Sequence, residues 1–342
     1  MRGAQRVGVF ACGKAAAPMV GGLPEKLRRN ALVVLPRGYP AEGLSAARLL
    51  FSSHPEPDTS SVEAARQALD YFSSFGSGDA ILCLVSGGAS SLLAMPRRGV
   101  TLKAKRRAVR RLTRSGASIL EINRLRKSLS AVKGGRLGRS ARARLATLVL
   151  SDVAGDDPAL VGSGPTIRGR RGDLILVVGT NRMGLEAAAR QAREFGLAPR
   201  LARKRLSGEA CSEGMRLARA ASRLEPGRIL LAGGETTVTI RGAAGRGGRS
   251  LELALGAAAA LGGSDGILLL AAGSDGVDGT SLAAGAFANG TTLARARKLG
   301  LDPAGSLARH DTEQFFRALG DLLVTGPTGT NVCDWVFALT SP

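Results

Sequence analysis

The sequence predicts an α/β fold of two domains, each a mostly parallel sheet with helices on both faces. Three observations predict it. Apolar runs of strand length alternate with helix-period segments along the whole chain. Four of those runs end in Gly-rich turns that carry hydroxyls or acids, at Leu84–Ser91, Leu230–Thr237, Leu270–Gly279 and Leu323–Asn331. The composition, 44% hydrophobic with 4% aromatic residues and 47 glycines, suits tight packing of Ala, Leu and Val between many turns.

The elements follow in chain order. Arg6–Cys12 is an apolar strand, and Lys14–Arg29 continues as an Ala-rich helix. Ala31–Leu35 and Arg48–Ser53 read as short strands. Asp58 caps an amphipathic helix with Val62, Ala65, Ala68, Leu69 and Phe72 at helical spacing. Ala80–Val85 is continuously apolar, as a strand buried on both faces requires. Helices are expected over Thr101–Arg114 and Gly135–Ala143, and a buried strand over Ala146–Leu150. The stretch Gly162–Gly172 is rich in Gly, Pro and Arg and reads as a linker. It divides the chain into domains at 1–166 and 167–342. In the second domain Leu174–Val178 is a strand, followed by helices over Asn181–Phe195 and Glu209–Arg223. Ile229–Ala232 and Thr236–Arg241 read as strands around a Gly-Gly-Glu turn. Ser250–Leu261 is a helix, and Gly266–Ala272 and Leu322–Thr325 are strands.

The charge is strongly unbalanced, with a formal net charge of +21. The densest basic stretch runs from Lys103 to Arg114, and a second from Arg124 to Arg144. Such runs suit nucleic acid or an anionic substrate. They also suit solvated helix faces, and we expect the latter for the first stretch. No helix-turn-helix, zinc-finger or aromatic-rich RNA-binding pattern accompanies them. Cys12, Cys83, Cys211 and Cys333 are far apart with no C-x-x-C pair, so reduced thiols in a cytoplasmic protein are expected. No stretch approaches the ~20 apolar residues of a membrane span.

The Gly-rich turns carry the chemistry. Glycine lets backbone N–H groups converge on a phosphate at a strand end. In Ser86-Gly87-Gly88-Ala89-Ser90-Ser91 the backbone and the Ser86, Ser90 and Ser91 hydroxyls could wrap a phosphate, or simply cap a tight turn. Gly8–Ala15 nearly matches the G-x-x-x-x-G-K-[ST] loop, but Ala15 lacks the hydroxyl and Gly8 lies inside the strand. What remains is Lys14, a cation at a strand end and helix start, where an anion can be held. Glu235, Asp275 and Asp278 stand in separate Gly-rich turns, and Asp152, Asp156 and Asp157 in another. Hard oxygen donors of this kind suit Mg²⁺ bridged to phosphate, and acids also favour turns for conformational reasons alone. Arg126 and Lys133, seven residues apart, would share a helical face and could clamp a carboxylate or phosphate. Arg246-Gly-Gly-Arg249 is a flexible basic turn entering a helix. His54 reads as a structural turn residue.

Taken together, these segments resemble the type-II glycerate kinase family, the glycerate 2-kinases whose C-terminal part is the MOFRL domain. The resemblance rests on GKAAAPM at 13–19, HPEPD at 54–58, VSGGASSLL at 85–93 and EINRLRKSLSAVKGGRL at 121–137. It continues through LSDVAGDDP at 150–158, SGPT at 163–166, GTNR at 179–182 and GGETTVTIRG at 233–242. GRGGR at 245–249, GSDGVDG at 273–279 and LVTGPTGTNV at 323–332 complete it. The family implies a Rossmann-like first domain and a smaller MOFRL-type second domain, with the MOFRL region at about 228–335 and the active site between the two. It also implies transfer of phosphate from ATP, with Mg²⁺, to the 2-hydroxyl of D-glycerate or a similar small hydroxy acid.

By position, Lys14 matches the family's catalytic lysine and Arg249 its active-site arginine. Charge neutralisation at the transferred phosphoryl is what this chemistry needs most. Asp152 is the candidate general base. Ser86, Gly87, Gly88, Ser90, Asn181, Gly233, Gly234, Glu235 and Thr236 are expected to hold nucleotide phosphates. Arg126 and Lys133 are expected at the substrate carboxylate, and Asp152, Glu235 and Asp275 at Mg²⁺. The chain departs from the family in Ser250 and Leu251, which replace two amide side chains beside Arg249, in Leu282, and in a short segment between SGPT and GTNR. Two other readings stay open at this point: a relative that binds nucleotide or another anion without turnover, and a basic nucleic-acid-binding protein. The oligomeric state, a homo-oligomer included, is not written in the sequence.

Overall fold

The computed structural model describes residues 3–44, 47–116, 119–240 and 242–341. The chain forms two compact units. One comprises Met1–Thr180 with Gly329–Asn331, and the other Asn181–Thr328 with Val332–Pro342.

The first unit is built on β1 (Val7–Cys12), β2 (Ala31–Pro36), β3 (Arg48–Ser52), β4 (Ala80–Val85), β5 (Arg144–Leu150) and β6 (Leu174–Gly179). They form one sheet in the order β3-β2-β1-β4-β5-β6, with every neighbour parallel. Alternation along the strands buries both faces. Phe10, Cys12, Leu32, Val34, Ile81 and Cys83 enter one core, and Val9, Ala11, Val33, Leu82 and Leu84 enter the other. The helix Thr59–Ser73 covers the first face with Ala64, Ala65, Ala68 and Phe72. Asp58 starts it as expected, accepting from Ser60 N at 2.8 Å. Emptying the Phe72 site to Ala would cost about 3–5 kcal/mol, because this ring is fully buried.

Two expectations fail here for physical reasons. The strand Leu174–Gly179, assigned in sequence to the second domain, is the edge strand of the first sheet. The segment read as a linker is ordered by Arg168. Its side chain is buried and bonds Asp173 Oδ2 at 2.7 Å and the carbonyls of Gly138, Ala141 and Ala143. The expected boundary at residue 166 therefore falls inside the first unit. Likewise, Lys14–Arg29 is two short helices, Ala16–Gly21 and Glu25–Arg28, broken at Gly22–Pro24.

The second unit contains β7 (Ala198–Leu201), β8 (Arg228–Gly234), β9 (Ile267–Gly273), β10 (Gly285–Asn289), β11 (Leu322–Leu323) and β12 (Asp334–Thr340). Their order is β11-β10-β9-β12-β8-β7. This sheet is mixed rather than mostly parallel. Only β7 and β8 pair in parallel, whereas β12 lies antiparallel between β8 and β9, and β10 antiparallel to β9 and β11. The helices Ala210–Ala221 and Arg249–Leu261 cover one face with Leu217, Ala218, Leu253, Ala254 and Ala257, while Asn181–Glu194 covers the other with Leu185 and Ala189. Residues after Gly234 do not form the expected strand. Thr237 makes an isolated bridge to Glu209, and the Glu209 carboxylate takes the N–H and hydroxyl of Thr239. Arg241, the end of that expected strand, lies outside the described residues. Among the described residues no helix is long and apolar enough to cross a membrane.

Candidate functional site

In the first unit all strands point the same way, so their C-terminal ends share one edge. The strand order reverses between β1 and β4, which is where open α/β sheets bind ligands. Gly13-Lys14 follows β1 there, and Ser86–Ser90 follows β4. The two turns are stitched together: Lys14 N donates to Gly87 O at 2.8 Å, Ala15 N to Ser86 Oγ at 3.0 Å, and Ser86 N to Cys12 O at 3.0 Å. Ser86 is fully buried at this junction, and its hydroxyl is engaged by the backbone of Ala15. Gly88 has a positive φ of 85°, and a Cβ there would lie 3.3 Å from Lys14 Cγ and 3.2 Å from His54 Cδ2. His54, read in sequence as a turn residue, thus packs beside Lys14 at the same edge.

Gly87 serves a different need. A side chain on it would overlap the Asp152 carboxylate and stand 2.6 Å from Asn331 Nδ2. Its bareness lets Asp152, at the end of β5, approach the backbone of the turn. Asn331 donates to Asp152 Oδ2 at 3.1 Å. The sequence reading did not assign Asn331 a role; the Gly-rich TGPTGTN string signalled a turn, not this contact.

Arg126 and Lys133 do not share a helix. The helix Ile119–Ser128 ends before Lys133, and the following turn bends through Gly134 and Gly135, both at positive φ. Gly134 N donates to Ser163 O at 2.9 Å and Gly135 N to Gly164 O at 2.7 Å, which ties the turn to the SGPT segment. Lys133 is nevertheless close enough to Arg126 to feel its charge. Its amine is buried against the Ser90 carbonyl and hydroxyl, and Ser90 Oγ lies 3.3 Å from Ser163 Oγ. Lys105 joins them. It comes from the helix Leu102–Arg114, whose basic residues were expected to be solvated. Arg106 and Arg110 on that helix do reach outward to Glu56, but Lys105 is 4% exposed, with its amine 3.4 Å from Ala94 O. The side chain of Arg114, last in that run, lies outside those described. Burial, followed by the Arg126 charge, pushes Lys105 down to about 8, and burial also lowers Arg126. No carboxylate pairs with Lys105, Arg126 or Lys133 among the described residues. Buried cations without a counter-charge are costly; Lys105 and Lys133 are buried here and Arg126 is half-buried.

In the second unit the antiparallel placement of β12 brings Asp334 to the edge where β8 and β9 end. Asp334 lies opposite both Gly234 and Gly273. The Arg246–Arg249 turn leads Arg249 onto it: Nε is 2.5 Å from Oδ2 and Nη2 is 3.0 Å from Oδ1, while Nη1 bonds Glu235. The turn is strapped at several points. Gly245 N bonds Arg309 O, Arg246 N bonds Asp311 Oδ1, Glu313 N bonds Arg246 O, and Gly247 exchanges bonds with Thr280. Asp278 caps the helix Arg249–Leu261, accepting from Ser250 N at 3.0 Å and Leu251 N at 2.8 Å. Burial pushes the Asp278 carboxyl up to about 7. Burial also raises Asp334, to about 6, with Glu235 and Asp275 adding to the rise and Arg249 opposing it. At neutral pH Arg249 therefore faces a largely ionised partner. Asp334 was not foreseen, because only long-range strand pairing places it here.

Other sequence candidates are accounted for by packing. Asn181 is buried, donating to Val332 O at 2.7 Å and Asp334 O at 3.1 Å, and Gly233 gives its side chain room. Gly234 has a positive φ of 146° at the turn, and Thr236 is buried beyond it. Ser250 and Leu251, which replace the amides, are both buried, Leu251 within the core of the second unit. Leu282 is exposed. Two of the acids expected at Mg²⁺ have protein partners in the second unit. Asp275 Oδ1 accepts from Val277 N at 3.2 Å and Glu235 is drawn onto Arg249. Among the described residues no three acidic, His or Cys side chains converge to hold an ion.

Comparison with known proteins supplies the class. A family model described as a domain of unknown function (DUF4147) matches residues 1–191, and the MOFRL family model matches residues 228–334. The chain is 37% identical over 374 residues to a protein of Agrobacterium vitis described as a putative hydroxypyruvate reductase, covering 95% of this chain and 97% of that one. It is 34% identical over 378 residues to the D-glycerate 2-kinase of Thermotoga maritima, covering 98% of this chain and 90% of that one. The crystal structure of a Thermotoga maritima glycerate kinase matches with a TM-score of 0.86 at 33% identity, over 98% of this chain and 91% of that chain. Fold and relatives together define a phosphotransferase with an alcohol group as acceptor. Within that class, the chain belongs to the type-II glycerate kinase family, with its MOFRL region in the second unit.

Proposed function

We propose that this protein transfers the γ-phosphoryl group of ATP to the 2-hydroxyl of D-glycerate or a closely similar small hydroxy acid. The observation that carries the reading is the near-full-length likeness to a glycerate kinase, joined to a first-unit cluster of Lys105, Arg126 and Lys133 with no carboxylate partner among the described residues. In phosphoryl transfer the protein mainly positions groups and neutralises charge. Lys14, at the switch point of the first sheet, and Arg249, oriented by Asp334, are the cations we assign to the phosphoryl oxygens. The Gly87–Ser90 and Gly233–Glu235 turns are assigned to nucleotide phosphates. Arg126 and Lys105 are assigned to the carboxylate of the acceptor. Mg²⁺ is treated as arriving with ATP, where it would neutralise phosphate charge. Asp152, held by Asn331 beside Gly87, is assigned to orienting ligand groups at the first-unit edge.

A reductase reading has one supporting observation, since the 3-2-1-4-5-6 strand order is also that of dinucleotide-binding sheets. The residues after β1 argue against it. They read Gly13-Lys-Ala-Ala-Ala17 and lack the G-x-G-x-x-G fingerprint. The test is a panel of hydroxy acids with MgATP, scored by ADP release, run beside hydroxypyruvate with NADH or NADPH. Glycerate-dependent ADP release supports the proposal. Reduced-nucleotide oxidation without ADP release would replace it.

A further inference from the structure

The turn that carries Arg249 hangs from a segment far along the chain, residues 309–313. Gly245 N donates to Arg309 O at 2.9 Å, Arg246 N to Asp311 Oδ1 at 3.1 Å, and Glu313 N to Arg246 O at 3.0 Å. Arg246 Nε also lies 3.2 Å from Glu313 Oε2. The two backbones are in close contact, for a Cβ on Gly247 would stand 2.5 Å from Thr312 Oγ1 and 3.1 Å from His310 O. Where residues 309–313 sit therefore decides where the turn delivers Arg249.

One side chain of that segment reaches back to the helix that Arg249 opens. His310 lies between the helices Pro303–Ala308 and Thr312–Leu319, at a positive φ of 53°. Its Nδ1 is 2.8 Å from Glu252 Oε1, and both side chains are largely buried. Glu252 belongs to the first turn of Arg249–Leu261, and its N–H donates to Gly248 O at 3.0 Å. Burial raises the Glu252 carboxyl; His310 opposes the rise and Glu209 adds to it. The contacts close a ring, from the arginine turn to 309–313, through His310 to Glu252, and back along one helical turn to Arg249.

We propose that the His310–Glu252 bond positions the Arg249 guanidinium for the transferred phosphoryl group, as a second anchor beside Asp334. This rests on the assignment of Arg249 to that group. Asp334 fixes the fork at the tip of the side chain. His310 and Glu252 fix the backbone from which the side chain projects. A guanidinium held only at its tip shifts when its turn shifts, and a displacement of about 1 Å can cost 100-fold in rate. His310 and Glu252 act through the turn and are positioning residues.

The test compares His310→Gly, His310→Asn and Glu252→Ala in the full chain, by steady-state kinetics with MgATP and D-glycerate below the unfolding range of each variant. Glycine removes the ring without straining a positive φ. Asparagine tolerates that φ and offers an amide N–H in place of the ring N–H. His310→Gly and Glu252→Ala should each lower kcat by on the order of 10- to 100-fold, with KM for either substrate little changed. His310→Asn should restore most of kcat. Added to Arg249→Lys, His310→Gly should cost far less than it does alone, because both changes act on one group. An unchanged kcat in His310→Gly and Glu252→Ala overturns the proposal. So does a loss confined to KM, a His310→Asn as slow as His310→Gly, or a loss that adds in full to that of Arg249→Lys. Each of those results in an active kinase overturns the positioning role alone. A folded wild-type protein that phosphorylates no hydroxy acid overturns the functional reading and this role together. Should His310→Gly not fold, Glu252→Ala decides by the same readouts.

Discussion

Arg249 grips Asp334 through two nitrogens, with Nε at 2.5 Å and Nη2 at 3.0 Å. A planar fork matched to a carboxylate fixes the guanidinium in both position and rotation. Lysine carries the charge but not the fork. Arg249→Lys should therefore lower kcat/KM by on the order of 100-fold or more, chiefly through kcat. Steady-state kinetics check it; a loss confined to KM would mean that Arg249 contributes only to ground-state binding.

Gly87 and Asp152 are related by space. Gly87→Ala should push the Asp152 carboxylate off the turn and disturb its bond to Asn331. Overpacking of this kind costs about 1–3 kcal/mol, and displacing a positioned group by about 1 Å can cost 100-fold in rate. Thermal unfolding and kinetics on the same preparation measure both effects. A variant with wild-type rate would show that Asp152 has no part in catalysis.

Asp278 gives the protein a particular pH dependence. Its carboxyl rises from an ordinary value of 3.8 to about 7 on folding, because it is buried. Between those values the folded protein keeps a proton that the unfolded chain has released. Its contribution to stability is thus full below pH ~4 and is lost as pH rises through ~7. The rise corresponds to at most about 4 kcal/mol. Asp278→Asn cannot ionise, so the gap in stability between wild type and variant should shrink as pH rises from 4 to 8 in urea titrations. A constant gap would contradict the burial argument.

Arg168 holds the segment that resembled a linker. Replacing it by Ala leaves Asp173 buried without its partner and three carbonyls without their donor. Losing one member of a buried pair costs about 3–5 kcal/mol, and β6 should become accessible to protease before the rest of the first unit. Uniform resistance to proteolysis would show that the strap is dispensable.

The legible part of this protein was what local pattern determines. The strand Ala80–Val85, the Asp58 cap and the Gly-rich turns follow from apolar runs and from residues with special backbone needs, and the structure places them as expected. Lys14 and Arg249 stand at the turns that the sequence singled out. The illegible part depended on distance in the chain. Asp334 reaches its edge only because β12 inserts antiparallel between β8 and β9. Lys105 was hidden among basic neighbours, two of which do face solvent. The Arg168 segment looked like a linker because Gly and Pro mark turns whether or not an arginine pins them. Ser86 and Asn181, polar residues beside Gly-rich turns, make hydrogen bonds to backbone that the sequence alone did not show.

The central claim is tested most directly by ³¹P NMR of the purified protein with MgATP and D-glycerate. The account predicts a new phosphomonoester signal with the coupling of a phosphate on the 2-position, growing in step with ADP and absent in Lys14→Ala. No phosphomonoester from the folded wild-type protein, or an unchanged rate in Lys14→Ala, would contradict it.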